Sequence, residues 1–133
     1  MFSTRMIMVA SSVALLVAGV ACLFAPIESL SAIGFQEPNE LTGQLLGSLY
    51  LAFAAANWTA RGSMIGGIYA RPLSVANFLH FVVGGTVLVR GLSGSTLTAG
   101  YLAVTLGYLA LAISFTLVLY GRLQQSGATG HEQ

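Results

Sequence analysis

Four long apolar runs divide the chain, and short polar breaks separate them. The runs cover residues 6–24, 41–60, 72–89 and 97–120. A helix needs about 20 mostly apolar residues to cross the roughly 30 Å hydrocarbon core of a bilayer, and each run is near that length. The runs are continuous rather than alternating, and about twice as long as the strands of a membrane barrel. Lipid offers backbone N–H and C=O groups no partners, so such runs fold as helices. The breaks fit this reading. Pro26 ends the first run, and Glu28, Glu37, Pro38, Asn39 and Glu40 mark an acidic loop. In that loop Leu30, Ile33 and Phe35 stand among polar residues, which predicts a short helix lying on the membrane surface. Arg61-Gly62-Ser63, Gly66-Gly67 and Arg71-Pro72 form the second break, with Pro72 placed for the first turn of a helix. Residues 90–95 form a short turn, and the polar tail beyond Arg122 is expected to fray. The pattern predicts an all-α protein with one domain over residues 1–133. Its architecture is an integral-membrane four-helix antiparallel bundle.

Composition sharpens the class. The chain is 56% hydrophobic and 7% charged, whereas a soluble domain carries about 25% charged residues. A soluble globule of 133 residues could not cover its surface with five Arg and four Glu. A formal net charge of +1 leaves no basic patch, so nucleic acid is excluded as a partner. One cysteine cannot build an internal disulfide framework, and Cys22 reads as a small buried apolar residue. An even number of spans puts both termini on one side. Arg5, Arg61, Arg71 and Arg122 share that side, while Arg90 lies opposite with Glu28, Glu37 and Glu40. The positive-inside rule then places both termini in the cytoplasm.

Helices in lipid associate through close packing of small residues. The first run carries Ala10, Ala14 and Ala18 at spacing four. The second carries Gly43, Gly47 and Ala54, the third Gly84-Gly85, and the fourth Gly100 and Gly107. These stripes serve the bundle's own contacts or a homo-oligomer contact.

Polar side chains inside a bilayer are costly, and each one is a site candidate. Helical spacing lines up Tyr50, Asn57 and Arg61 on the second run, Asn77 and His80 on the third, and Thr105 and Tyr108 on the fourth. At 1.5 Å per residue, Tyr50, His80 and Tyr108 fall near the middle of their spans. One reading makes Tyr50, Asn57, Asn77, His80, Thr105 and Tyr108 the lining of a ligand pocket. Arg61 and Arg71 then wait at its cytoplasmic edge for a polar or anionic head group. The other reading makes the same residues a hydrogen-bonded network that fixes helix register. In that case Arg61, Arg71 and Trp58 anchor helix ends at the interface.

Familiar chemistries find few residues here. Haem needs axial ligands, and only His80 lies in a span. Proton-coupled transport relies on intramembrane carboxylates, and no Glu lies within a run. Gly91-Leu92-Ser93-Gly94 has the Gly-x-Ser-Gly pattern of rhomboid proteases. Ser93, however, sits in a short turn, three to four helical turns from His80, and a glycine turn explains the motif. No catalytic group, metal site or cofactor is expected, and the residues weigh against an enzyme.

One group of proteins shares several elements. Gln44-Leu45-Leu46-Gly47 and Asn57-Trp58-Thr59-Ala60-Arg61 resemble small bacterial four-helix membrane proteins that are broadly DoxX-like. So do Phe24-Ala25-Pro26, Gly34-Phe35 and Arg71-Pro72 leading to Asn77 and His80. Gln44 departs from the pattern, since such proteins often carry Arg there. The resemblance implies four helices and a multi-pass place in a bacterial inner membrane. DoxX itself is a small subunit of a membrane quinol-oxidising complex, so the resemblance also implies an accessory role. The leading expectation is a non-catalytic accessory subunit of a larger membrane complex, or a homo-oligomeric structural component. The alternative is a binder of a small hydrophobic molecule, quinone- or lipid-like, in a pocket within the bundle.

Overall fold

The computed structural model describes residues 4–62, 70–93 and 97–128. The Gly66-Gly67 break, the Gly94-Ser95 part of the short turn and the end of the polar tail with His131 lie outside these residues. The described residues form five α-helices and no strand: α1 (Thr4–Phe24), α2 (Pro26–Ala32), α3 (Glu40–Ala60), α4 (Ala70–Gly91) and α5 (Ala99–Ala128). The short helix expected in the acidic loop is α2, and Pro26 opens it. The end of α5 differs from expectation. The helix runs on through Arg122 to Ala128, where a polar tail was expected to begin fraying. Hydropathy marks where a helix leaves lipid, and the Arg, Leu and Gln residues there are good helix formers in water.

Among the described residues three helices are long and apolar enough to cross a membrane: Thr4–Phe24, Arg71–Gly91 and Ala99–Tyr120. α3 matches α1 at 21 residues, but Gln44, Ser48, Tyr50 and Asn57 lower its mean hydropathy. The burial pattern supports a lipid setting. Ser11, Ser12, Asn57, Ser74, Asn77 and Thr105 are buried, while Val17, Leu45, Leu79, Val83, Leu106 and Leu117 are exposed. A protein dissolved in water rarely turns so many large apolar side chains outward.

Local chemistry sets the ends of the elements. Asn39 caps α3, its side-chain oxygen accepting from the Thr42 N–H at 3.1 Å. At the end of α2 the Phe35 N–H reaches the Leu30 carbonyl at 3.1 Å and the Gly34 N–H reaches Ser31 at 2.9 Å. This is a Schellman stop, and Gly34 takes the left-handed φ of 88° that it needs. The α2 end is tied to α5 by Thr98, whose hydroxyl donates to the Ala32 carbonyl at 3.0 Å. Leu30, 1% exposed, pins α2 inward.

Rising numbers on α1 meet falling numbers on α3, so these two helices are antiparallel neighbours. The Ser12 hydroxyl donates to the Ala54 carbonyl at 2.8 Å, and further along Gly19 lies against Gly47 and Leu51. The backbones nearly touch there. A Cβ added to Gly47 would stand 2.9 Å from the Gly19 carbonyl oxygen and 2.9 Å from the Leu23 nitrogen. α4 and α5 pair in the same sense. Tyr101 donates to the Leu88 carbonyl at 2.7 Å, and Phe81 stacks on Phe115 with ring centroids 5.7 Å apart. The core joins Met8, Leu15 and Cys22 of α1 to Tyr50 and Ala54 of α3, Phe81 of α4, and Ala112 and Phe115 of α5.

Candidate functional site

The inward polar residues form two groups rather than one pocket lining. The first joins three helices. Asn57 on α3 and Asn77 on α4 exchange amide hydrogen bonds, Asn57 Nδ2 to Asn77 Oδ1 at 2.9 Å and Asn77 Nδ2 to Asn57 Oδ1 at 2.6 Å. Asn57 Nδ2 also donates to Ser11 Oγ on α1 at 3.0 Å, and Asn77 Nδ2 donates to the Leu73 carbonyl at 2.9 Å. Both asparagines are 0% exposed. Their polar atoms face one another, so this group locks register.

The second group lies about 10 Å further along α3. The hydroxyls of Tyr50 and Tyr108 are 2.6 Å apart, and Tyr108 Oη is 3.2 Å from His80 Nε2. Phe53 stacks on the His80 ring with centroids 5.1 Å apart, and Phe81 meets the same ring edge-on at 5.0 Å. Gly84 makes room for this arrangement, since a Cβ there would stand 2.5 Å from Tyr108 Cε1. The sequence expectation of a single lining is corrected in one more respect. Thr105 is buried, but its hydroxyl turns back to its own helix and donates to the Tyr101 carbonyl at 2.8 Å. A threonine can always satisfy itself this way in a helix, so its type and spacing could not place it in a site.

Beside the second group lies a cavity of about 270 Å³, near the lower end of ligand pockets (about 300–1,000 Å³). Tyr50, Phe81 and Tyr108 floor it, and His80 and the asparagines do not line it. Ala14, Ala18 and Ala21 of α1 form one wall, and Val104, Gly107 and Leu111 of α5 the other. Ser29 and Ile33 stand at its α2 end. Ala14, Ala21 and Gly107 are both lining and exposed, so the cavity opens sideways between α1 and α5. Nothing lies within 4 Å of where a Gly107 Cβ would stand.

The two arginines named as head-group partners are placed differently. Arg61 donates to the Trp58 carbonyl, and its guanidinium lies 3.8 Å from the Trp58 ring centroid. It is therefore engaged with the end of its own helix. Arg71 is exposed in the first turn of α4. Neither lines the cavity. Cys22 is buried and free, and borders the cavity. Among the described residues no three His, Cys, Asp or Glu side chains are grouped to hold a metal ion.

Sequence reasoning missed Ser11 and Ser12, which carry α1 into the polar contacts. Their signal was present: two adjacent hydroxyls in an otherwise apolar span. Ala14, Ala18 and Gly107, expected to serve contacts within the bundle or between copies, line the cavity, and Ala18 also packs against the core. Fold and site thus define an all-helical membrane-type protein with a lateral apolar cavity beside a Tyr–Tyr–His chain. The chain matches no family model, and no curated protein or solved structure matches it.

Proposed function

We propose that this protein is a four-span bacterial inner-membrane protein that binds a small hydrophobic molecule, quinone- or lipid-like, between α1 and α5. One observation carries the reading: the cavity of about 270 Å³ floored by Tyr50, Phe81 and Tyr108 and open to the side. α3 serves as the fourth span of an antiparallel bundle. Its low hydropathy is no obstacle, because the polar atoms of Asn57 and Tyr50 are hydrogen-bonded inside the bundle. Both termini face the cytoplasm, with Arg5, Arg61 and Arg71 at that end under the positive-inside rule. The DoxX-like likeness at Asn57-Trp58-x-Ala60-Arg61 fits the same topology.

The accessory-subunit or homo-oligomer role is the second reading. Gly19, Gly43 and Gly47, the small residues best suited to an external helix contact, are already covered by Leu51, Pro26 and α1. Exposed apolar residues that a partner could cover include Leu41, Leu45 and Leu49 of α3 and Val13, Leu16 and Val17 of α1. Native mass spectrometry of gently solubilised protein separates the two. Binding predicts a retained quinone- or lipid-sized mass that is lost in Gly107→Leu, where the new side chain enters the cavity. A stoichiometric foreign subunit with no small molecule would reverse the order.

A further inference from the structure

The asparagine junction fixes where three arginines stand. Asn57 of α3 bonds both Ser11 of α1 and Asn77 of α4, so these three residues mark one level of the bundle. Arg5 comes six residues before Ser11, and Arg71 six residues before Asn77, each about 9 Å along its helix. Arg61 comes four residues after Asn57, about 6 Å along α3. α1 and α4 run opposite to α3, so all three displacements point the same way. The arginines therefore stand within about 3 Å of one plane, on three neighbouring helices. Each also continues an inward face. Arg5 lies two turns before Ser12, which bonds α3. Arg61 lies one turn after Asn57, and Arg71 one turn before the buried Ser74.

No carboxylate among the described residues shares this end. Glu40 is 17 residues before Asn57, about 26 Å away along α3. Glu28 and Glu37 lie before it in the chain, on and beyond α2. Arg61 lies over the Trp58 ring and donates to the Trp58 carbonyl, which uses one of its five N–H donors. Arg5 and Arg71 are exposed. Like charges at one level repel unless an anion joins them, and the guanidinium fork suits a phosphate. The setting selects the kind of phosphate. Met6, Trp58 and Val75 are exposed at the same end, and tryptophan is enriched at the boundary between hydrocarbon and head groups. The arginines then stand among lipid head groups, where basic clusters between helices hold anionic lipids.

We propose that Arg5, Arg61 and Arg71 form a site for the phosphate of an anionic phospholipid, whose acyl chains stay outside the bundle. The site is independent of what occupies the α1–α5 cavity, and rests only on the reading that this end of the bundle lies at a membrane surface.

Trp58 is the chain's single tryptophan, so its fluorescence reports on this end alone. The test places the full chain in phosphatidylcholine vesicles containing either phosphatidylglycerol or phosphatidylcholine with brominated acyl chains, at equal mole fraction. Bromine quenches tryptophan on contact. The proposal expects phosphatidylglycerol to quench Trp58 at the lower mole fraction. Arg5→Gln and Arg71→Gln should each reduce that preference about fivefold. Arg90→Gln, in the last turn of α4 at the other end, should leave it unchanged. Thermal melting of the variants shows that they fold. Equal quenching by the two lipids, or an equal loss in Arg90→Gln, would overturn the site and leave the membrane reading standing. Quenching by neither lipid would overturn both. Loss of the preference on adding inorganic phosphate, but not sodium chloride of equal ionic strength, would assign the site to free phosphate and overturn the lipid.

Discussion

The Asn57–Asn77 pair offers the most quantitative test of how this bundle is held together. Asn57 makes three hydrogen bonds, two with Asn77 and one to Ser11. Asn77 makes the same two and one more to the Leu73 carbonyl. Side-chain hydrogen bonds within a membrane average about 0.6 kcal/mol. Asn57→Ala and Asn77→Ala should therefore each cost about 2 kcal/mol. The double variant removes the shared pair only once, so it should cost about 2.4 kcal/mol where simple addition gives about 3.6 kcal/mol. The coupling of about 1.2 kcal/mol is the worth of the reciprocal amide contact. Equilibrium unfolding in mixed micelles of dodecyl maltoside and increasing sodium dodecyl sulfate, followed by circular dichroism, reads all four species. Additivity within about 0.3 kcal/mol would mean that the two amides do not hold each other in the membrane. The three-helix junction built on them would then be refuted.

Other residues give tests in the same assay. Tyr108→Phe keeps the ring over Gly84 but deletes the hydroxyl that meets both Tyr50 and His80, and should cost about 1 kcal/mol. Tyr50→Phe removes one bond and should cost about half as much; the opposite order would place the centre of the chain wrongly. Gly47→Val forces a side chain into the α1 backbone and should cost about 2–3 kcal/mol, while Gly107→Ala, facing open space, should stay within about 0.5 kcal/mol of wild type. Gly34→Ala places a Cβ on a residue with φ of 88° and should lower stability by about 1 kcal/mol. An unchanged melting temperature would mean that the Schellman stop after α2 is not formed.

The helices were largely legible in the sequence because lipid imposes a coarse rule on it. Continuous apolar length locates α1, α4 and α5 whatever packs inside. α3 is the instructive case. Averaged along the chain, Gln44, Tyr50 and Asn57 make it look half-polar, yet the fold satisfies Tyr50 and Asn57 internally, and no average contains that information. Polar residues at helical spacing correctly marked the inner faces of α3 and α4. Their pairing was not legible, because it depends on how far each helix is shifted along its neighbour. A shift of one turn would bring Tyr108 or His80 to a different partner. The cavity was least legible of all. A stripe of small residues can admit a neighbouring helix, as Gly19 and Gly47 do. It can equally leave a gap, as Ala14, Ala18 and Gly107 do. The residue types are the same, and only the distance between α1 and α5 separates the outcomes.

The central claim is that a hydrophobic molecule occupies the slot between α1 and α5. Nuclear Overhauser contacts in nanodiscs, between aliphatic chain protons and the ring protons of Tyr50 and Phe81, test it most directly. Phe81 is 1% exposed and Tyr50 9%, so a chain on the outer surface cannot reach them. The account predicts cross-peaks to both rings, abolished by Gly107→Leu. Cross-peaks to exposed Val83 and Leu106 alone, with none to the two rings, would show the slot to be empty and contradict it.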